Sequence, residues 1–294
     1  MIQRTVLLPA KLGSGYGIYF AGLAIVANVA FDTVIKYVLA YLPVLEVNFL
    51  RWFIGAVILL PLAYRYDWWR GFSLTGIHGI RMLLNLIGAG SFFFTLSQLS
   101  LSLTVAIFFL EPLFSILFAR LLFQERNPMR RYVAVVAGFI GVVLMLDINT
   151  DIIATEAEPI AWLPVLLGLF GAASWGLMNV LTRHYGRDIS SGALMFWLAV
   201  LTAIGLAPLA LMVWQAPSLP SIALITLAAV FGSLYNFSWA QAFKTVAVTT
   251  LAGVFNLYLP LAALAGWLFF AELMSLQMMT GAVMVVMAMV VACY

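Results

Sequence analysis

From Tyr16 to Val38 the chain carries only two charges, Asp32 and Lys36, and apolar stretches of this length recur along the whole sequence. A helix needs about 20 such residues to cross the hydrocarbon of a bilayer, and a helix in lipid satisfies its own backbone hydrogen bonds. The stretches fall at 16–38, 44–64, 76–98, 103–123, 131–148, 160–182, 190–213, 220–243, 249–270 and 275–293. Turn and charge signals part them: Leu42-Pro43, Tyr66 to Gly71, Gln124 to Pro128, Asp151 to Pro159, Tyr185 to Asp188 and Pro217 to Pro220. The expected fold is therefore an all-α membrane protein of ten transmembrane helices. Composition closes the alternative. The chain is 65% hydrophobic and 9% charged, where a soluble domain carries roughly 25% charged residues. The first run is too long for the hydrophobic region of a signal peptide and reads as the first span.

Basic residues orient the chain. With the N-terminus inside, the inner loops hold Arg4, Lys11, Arg65, Arg70, Arg126, Arg130, Arg131, Arg183, Arg187 and Lys244, while only Lys36 and Arg51 fall in the outer half. The longest outer loop carries Asp151, Glu156 and Glu158. This excess of inner basic residues puts both termini in the cytoplasm. The net charge of +3, spread in short clusters, gives no reason to expect a nucleic-acid partner. Cys293 is the single cysteine, so no disulfide within the chain and no paired-cysteine metal site is expected. No Walker A sequence, His-Glu-x-x-His or Gly-x-Ser-x-Gly is present. Neither an ATP engine, a resident cofactor nor an enzyme is expected.

The two halves echo one another at a fixed offset. Pro61 matches Pro208, and 208 − 61 = 147. The same offset pairs Asp32 with Asn179, Lys36 with Arg183, Ser91 with Ser238, Phe92 with Trp239, Glu111 with Tyr258 and Glu125 with Glu272, although Pro112 and Pro260 miss by one. Residues 14–148 and 160–293 then form two repeats. Five helices per repeat is an odd number, so the second copy enters from the opposite side. Inverted repeats of this kind build carriers that work by alternating access around a site near the midplane.

The stretch Phe109-Leu110-Glu111-Pro112-Leu113-Phe114 running to Phe123-Gln124-Glu125, with its second copy Leu257-Tyr258-Leu259-Pro260-Leu261 running to Phe270-Ala271-Glu272, resembles the EamA repeats of the drug/metabolite transporter superfamily. Within it, the chain looks most like the bacterial YddG-type amino-acid exporters. The resemblance implies a secondary transporter of the bacterial inner membrane, exporting amino acids or related metabolites. A multidrug or other metabolite carrier is the rival within the superfamily, and an intramembrane lipid-acting enzyme the remote one. Tyr258 stands where the first copy has the acid of Glu-Pro, so the two fourth helices need not act alike.

Polar groups are costly in lipid and tend to face the bundle interior. Asn28 and Asp32 on the first helix, with Trp175 and Asn179 on the sixth, are each four apart and share a face. His78, Arg81, Asn85 and Phe92 follow one stripe of the third helix. Gly232, Asn236 and Trp239 follow the eighth, Phe108, Glu111 and Ser115 the fourth, and Phe255 and Tyr258 the ninth. Asn28, Asp32, His78, Asn85, Phe92, Glu111, Trp175, Asn179, Asn236, Trp239 and Tyr258 are thus candidates to line a cavity for a small amphipathic solute, with Asp32 and Glu111 candidate proton carriers. Each has a plainer alternative. Asp32 and Lys36 are spaced to pair with each other, with Arg51 a third member or a partner of Glu46. Arg81 is long enough to snorkel to the headgroups. Glu111 has a packing role open to it beside Pro112. Met-rich 278–289 reads as lipid or homodimer packing. Gly22, Gly88, Gly90, Gly171 and Gly266 read as places of close helix approach.

Overall fold

The computed structural model describes residues 14–68, 76–124, 128–145, 162–185, 189–245, 254–255 and 257–293. These form helices and no strand: α1 (Ser14–Leu39), α2 (Val44–Arg65), α3 (Ile77–Gln98), α4 (Leu101–Phe108), α5 (Glu111–Phe123), α6 (Met129–Met145), α7 (Trp162–Tyr185), α8 (Ser191–Met212), α9 (Leu219–Thr245), α10 (Tyr258–Phe270) and α11 (Leu276–Cys293). Among the described residues, seven segments are long and apolar enough to cross a membrane, namely α1, α2, α3, the α4–α5 segment, α7, α8 and α9. Tyr132–Met145, Tyr258–Phe270 and Leu276–Val291 are shorter apolar helices. Glu125, Arg126 and the acidic 151–158 loop lie outside the described residues.

The fourth span is not the single helix expected over 103–123. It begins at Leu101 and breaks at Phe109–Leu110. Pro112 is the reason: it lacks an amide hydrogen and its ring crowds the carbonyl four residues back, at Phe108, where α4 ends. Every residue of α4 is buried, as suits a helix apolar on all sides.

The 147-residue offset reappears in the backbone. Helices α2 and α8 start and end one offset apart, 191 − 44 and 212 − 65, as do α5 and α10, 258 − 111 and 270 − 123. Both α5 and α10 close on a residue in the left-handed region, Gln124 at φ 53° and Ala271 at φ 54°. Their amides bond the carbonyls of Ala119 and Gly266, again 147 apart. Packing is reciprocal in the same sense. Helix α1 lies along α9 and α3 along α7, while α2 faces α8, α6 faces α11 and α4 faces α10.

Glycines make some of these approaches possible, though not all that were expected to. A Cβ added at Gly88 would collide with the Trp175 indole, and one at Gly171 would lie 2.6 Å from Ser91 Cβ. Gly22 and Gly90 have nothing within 4 Å, and Gly266 meets the Glu272 side chain rather than another helix. In the Met-rich stretch, Met278 and Met289 are buried and Met279 and Met287 exposed, because α11 lays one face on α6.

Candidate functional site

Asp32 lies in the interior of α1 and is 1% exposed. It does not pair with Lys36, four residues on. Its carboxylate accepts a hydrogen bond from the phenol of Tyr258, the first residue of α10. The tertiary fold brings that phenol from 226 residues away, and it supplants the local ion pair. Beside it the Tyr258 ring is 5.7 Å from Phe255, which is 5.7 Å from Trp239 and stacks on Phe109 at 5.2 Å. Tyr235 stacks on Trp239 at 6.4 Å. One buried acid thus sits against a wall of aromatic rings.

A second acid enters from the pseudo-equivalent side. Glu111 opens α5, where free backbone amides and the helix dipole favour negative charge. Asn179 on α7 donates its amide to Glu111 Oε1 at 2.5 Å. The helices are held close there: a Cβ at Gly176 would lie 2.9 Å from the Glu111 carbonyl, and Ser115 donates to the Gly176 carbonyl at 3.1 Å. Tyr235, through its stacking on Trp239, belongs to the aromatic wall. Tyr235 was absent from the sequence candidates; its spacing of four from Trp239 was the signal that marks it.

Asn85, Phe92 and Trp175 also come together, but against one another. Trp175 Nε1 donates to Asn85 Oδ1 at 3.1 Å, and Asn85 Nδ2 donates to Thr202 at 3.0 Å. The Trp175 ring packs on Phe92 at 5.7 Å and Phe108 at 5.2 Å. This amide clamps α3, α7 and α8. His78 is buried 6.4 Å from the Trp197 ring, far down α3 from these groups. Arg81 does not snorkel: it is buried and donates to the Leu194 carbonyl at 2.9 Å. Asn28 is half-buried on α1.

Asn236 belongs to another space. It donates to the Gly232 carbonyl at 2.7 Å and lines a cleft between α2, α8 and α9, together with Arg51 and Trp52. Arg51 does not pair with Glu46, whose carboxylate accepts from the Gln215 amide at 2.9 Å. It lies over the Phe31 ring at 5.0 Å and the Trp52 ring at 3.8 Å.

At the face where α1 ends, Lys36 Nζ meets Glu272 Oε1 at 2.6 Å and donates to the Leu99 carbonyl at 2.6 Å. Glu272 in turn accepts from the Leu101 amide at 2.8 Å. The ends of α1, α3 and α10 and the start of α4 are tied in one knot. Among the described residues, no group of three or more His, Cys, Asp or Glu is gathered to hold a metal ion.

Comparison with known proteins bears on what this arrangement does. The model of the EamA-like transporter family matches residues 15–147 and 162–294. An S-adenosylmethionine uptake transporter of Rickettsia felis is 28% identical over 275 residues, covering 92% of this chain and 90% of the relative. A riboflavin transporter of Brucella anthropi is 26% identical over 259 residues, covering 83% and 86%. One of Vibrio cholerae is 27% identical over 251 residues, covering 84% and 82%. A crystal structure superposes with a TM-score of 0.65 over 95% of this chain and 96% of its own, at 17% identity.

Proposed function

Because the chain belongs to the EamA-like transporter family, and so is a multi-pass membrane transporter of small metabolites, we propose that its solute combines an α-amino-acid end with a flat aromatic or heteroaromatic body. What carries this is Asp32, a buried acid beside the Tyr258, Phe255 and Trp239 rings. A charge inside the membrane is expensive and marks a solute or ion path. A carboxylate attracts an ammonium or sulfonium, and aromatic faces favour both the cation and a stacked ring. Neutral aromatic amino acids and S-adenosylmethionine share these features. Amino-acid export, expected from sequence, and the uptake for which the Rickettsia felis relative is named become one substrate class, with direction set by the gradients.

Glu111 and Asn179 supply the second polar wall. The repeats 14–148 and 160–293 form ten spans of inverted topology that rock about this region. Seven long and three shorter apolar helices, and the reciprocal packing of α1 on α9 and α3 on α7, support that architecture. Opening at the face where α1 ends requires the Lys36–Glu272 knot to part. The excess of basic residues on one side supports cytoplasmic termini in a bacterial inner membrane.

The test is counterflow in proteoliposomes with the twenty amino acids, S-adenosylmethionine and riboflavin. Saturable exchange of S-adenosylmethionine or aromatic amino acids is expected. Exchange of riboflavin alone, which has no amino-acid end, or of nothing in the panel, sinks the substrate class.

A further inference from the structure

Arg51 is the half-buried charge that the Asp32 region leaves without an assigned role. It sits at the depth of Asp32: α1 and α2 are joined through Ala40–Pro43, and the two residues lie equally far from that joint, 39 − 32 = 7 and 51 − 44 = 7, about 10 Å in at 1.5 Å per residue. No carboxylate lies within ion-pair distance of Arg51 among the described residues. Glu46 accepts from the Gln215 backbone amide and Glu272 pairs with Lys36.

What surrounds the guanidinium is apolar and open. Phe31 and Trp52 hold it by their ring faces. Gly232 gives it room against α9, where an added Cβ would lie 3.6 Å from Arg51 Nη2. The cleft beside it is also lined by Ser233 and Asn236. Trp52, which lines the same cleft, has a buried indole N–H with no hydrogen-bond partner. A half-buried cation with no carboxylate beside it and an unpartnered indole N–H line the same cleft, an arrangement that suits an anion. The planar fork of arginine fits a carboxylate by two parallel hydrogen bonds.

We propose that Arg51, with the Trp52 indole beside it, seats the carboxylate of the transported metabolite in the cleft between α2, α8 and α9. The inference rests on the amino-acid substrate class above and refines it. Arg51 takes the anionic end, so the carrier selects zwitterions over amines.

Purified protein is titrated with two pairs, S-adenosylmethionine against its decarboxylated form and phenylalanine against phenethylamine, and Kd is read from the shift in melting temperature. In the wild type, loss of the carboxylate is expected to weaken binding roughly 10- to 100-fold, the range for a hydrogen bond to a charged group. In Arg51→Gln the difference within a pair falls below about threefold on the same scale. Arg51→Lys keeps the charge but not the fork. It weakens the carboxylate member and leaves the decarboxylated member within about twofold. A wild type that binds both members alike overturns the seat alone. A wild type that responds to neither member of either pair overturns the seat together with the amino-acid class. A melting shift produced by phosphatidylglycerol, lost in Arg51→Gln while the pairs stay alike, assigns the cleft to a lipid phosphate and overturns the proposal.

Discussion

Lys36 and Glu272, 236 residues apart in sequence (272 − 36), meet at 2.6 Å with side chains only 15% and 16% exposed. Each also engages the backbone of the α3–α4 link, Lys36 at the Leu99 carbonyl and Glu272 at the Leu101 amide. An ion pair this sheltered, with both partners also bonded to backbone, differs from an exposed surface pair worth little. Lys36→Ala and Glu272→Ala are each expected to lower stability, with a coupling of about 1–3 kcal/mol in a double-mutant cycle by thermal or denaturant unfolding. Additive single effects would show that the knot is not a unit.

Asp32→Asn retains an acceptor for the Tyr258 phenol and removes the charge. Counterflow of a cation-bearing solute is expected to fall by roughly 10-fold or more, while the melting temperature changes little. Tyr258→Phe, which removes only the donor, is expected to have the smaller effect. A wild-type rate in Asp32→Asn would place the cation seat elsewhere.

Asn85 is a candidate for the cavity by sequence, but its amide is bonded on both sides by Trp175 and Thr202. Asn85→Ala is therefore expected to cost about 2 kcal/mol of stability by leaving the Trp175 N–H unpartnered, with KM unchanged. A raised KM at an unchanged melting temperature would show instead that Asn85 touches the solute.

Gly88 and Gly90 are two residues apart on α3 and face different surroundings. Gly88→Ala drives a methyl into the Trp175 indole and is expected to destabilise by about 1–3 kcal/mol. Gly90→Ala meets nothing within 4 Å and is expected to be neutral or slightly stabilising. Melting curves of the two variants side by side make the comparison, and equal losses would contradict the close approach of α3 and α7.

Much of the fold was legible because its determinants are local or periodic. Apolar runs long enough to cross a bilayer mark spans wherever they occur, and the pairing of Pro61 with Pro208 and of Glu125 with Glu272 fixed a register that α2, α5, α8 and α10 then keep. Pro112 is plain in the sequence, but the break it forces at Phe109–Leu110 is not, since the surrounding residues are apolar enough for one continuous helix. The candidate site was legible only as a set of residue types. Asp32, Glu111, Trp239 and Tyr258 stood out as polar or aromatic groups out of place in lipid. Tyr235 and Arg51 did not, one hidden among aromatics and the other assigned to neighbouring acids.

Sequence by itself therefore determined the solvent of this protein, its helical class and the family to which it belongs. Hydrophobicity and helical period act along the chain, and each residue contributes without reference to distant ones. Tertiary structure decided who meets whom. Asp32 turned from Lys36, four residues away, to Tyr258, and Lys36 turned to Glu272, because packing α1 against α9 and α10 sets which side chains share a low-dielectric space. There a polar group must find a partner, and the partner is whichever one the helix packing delivers.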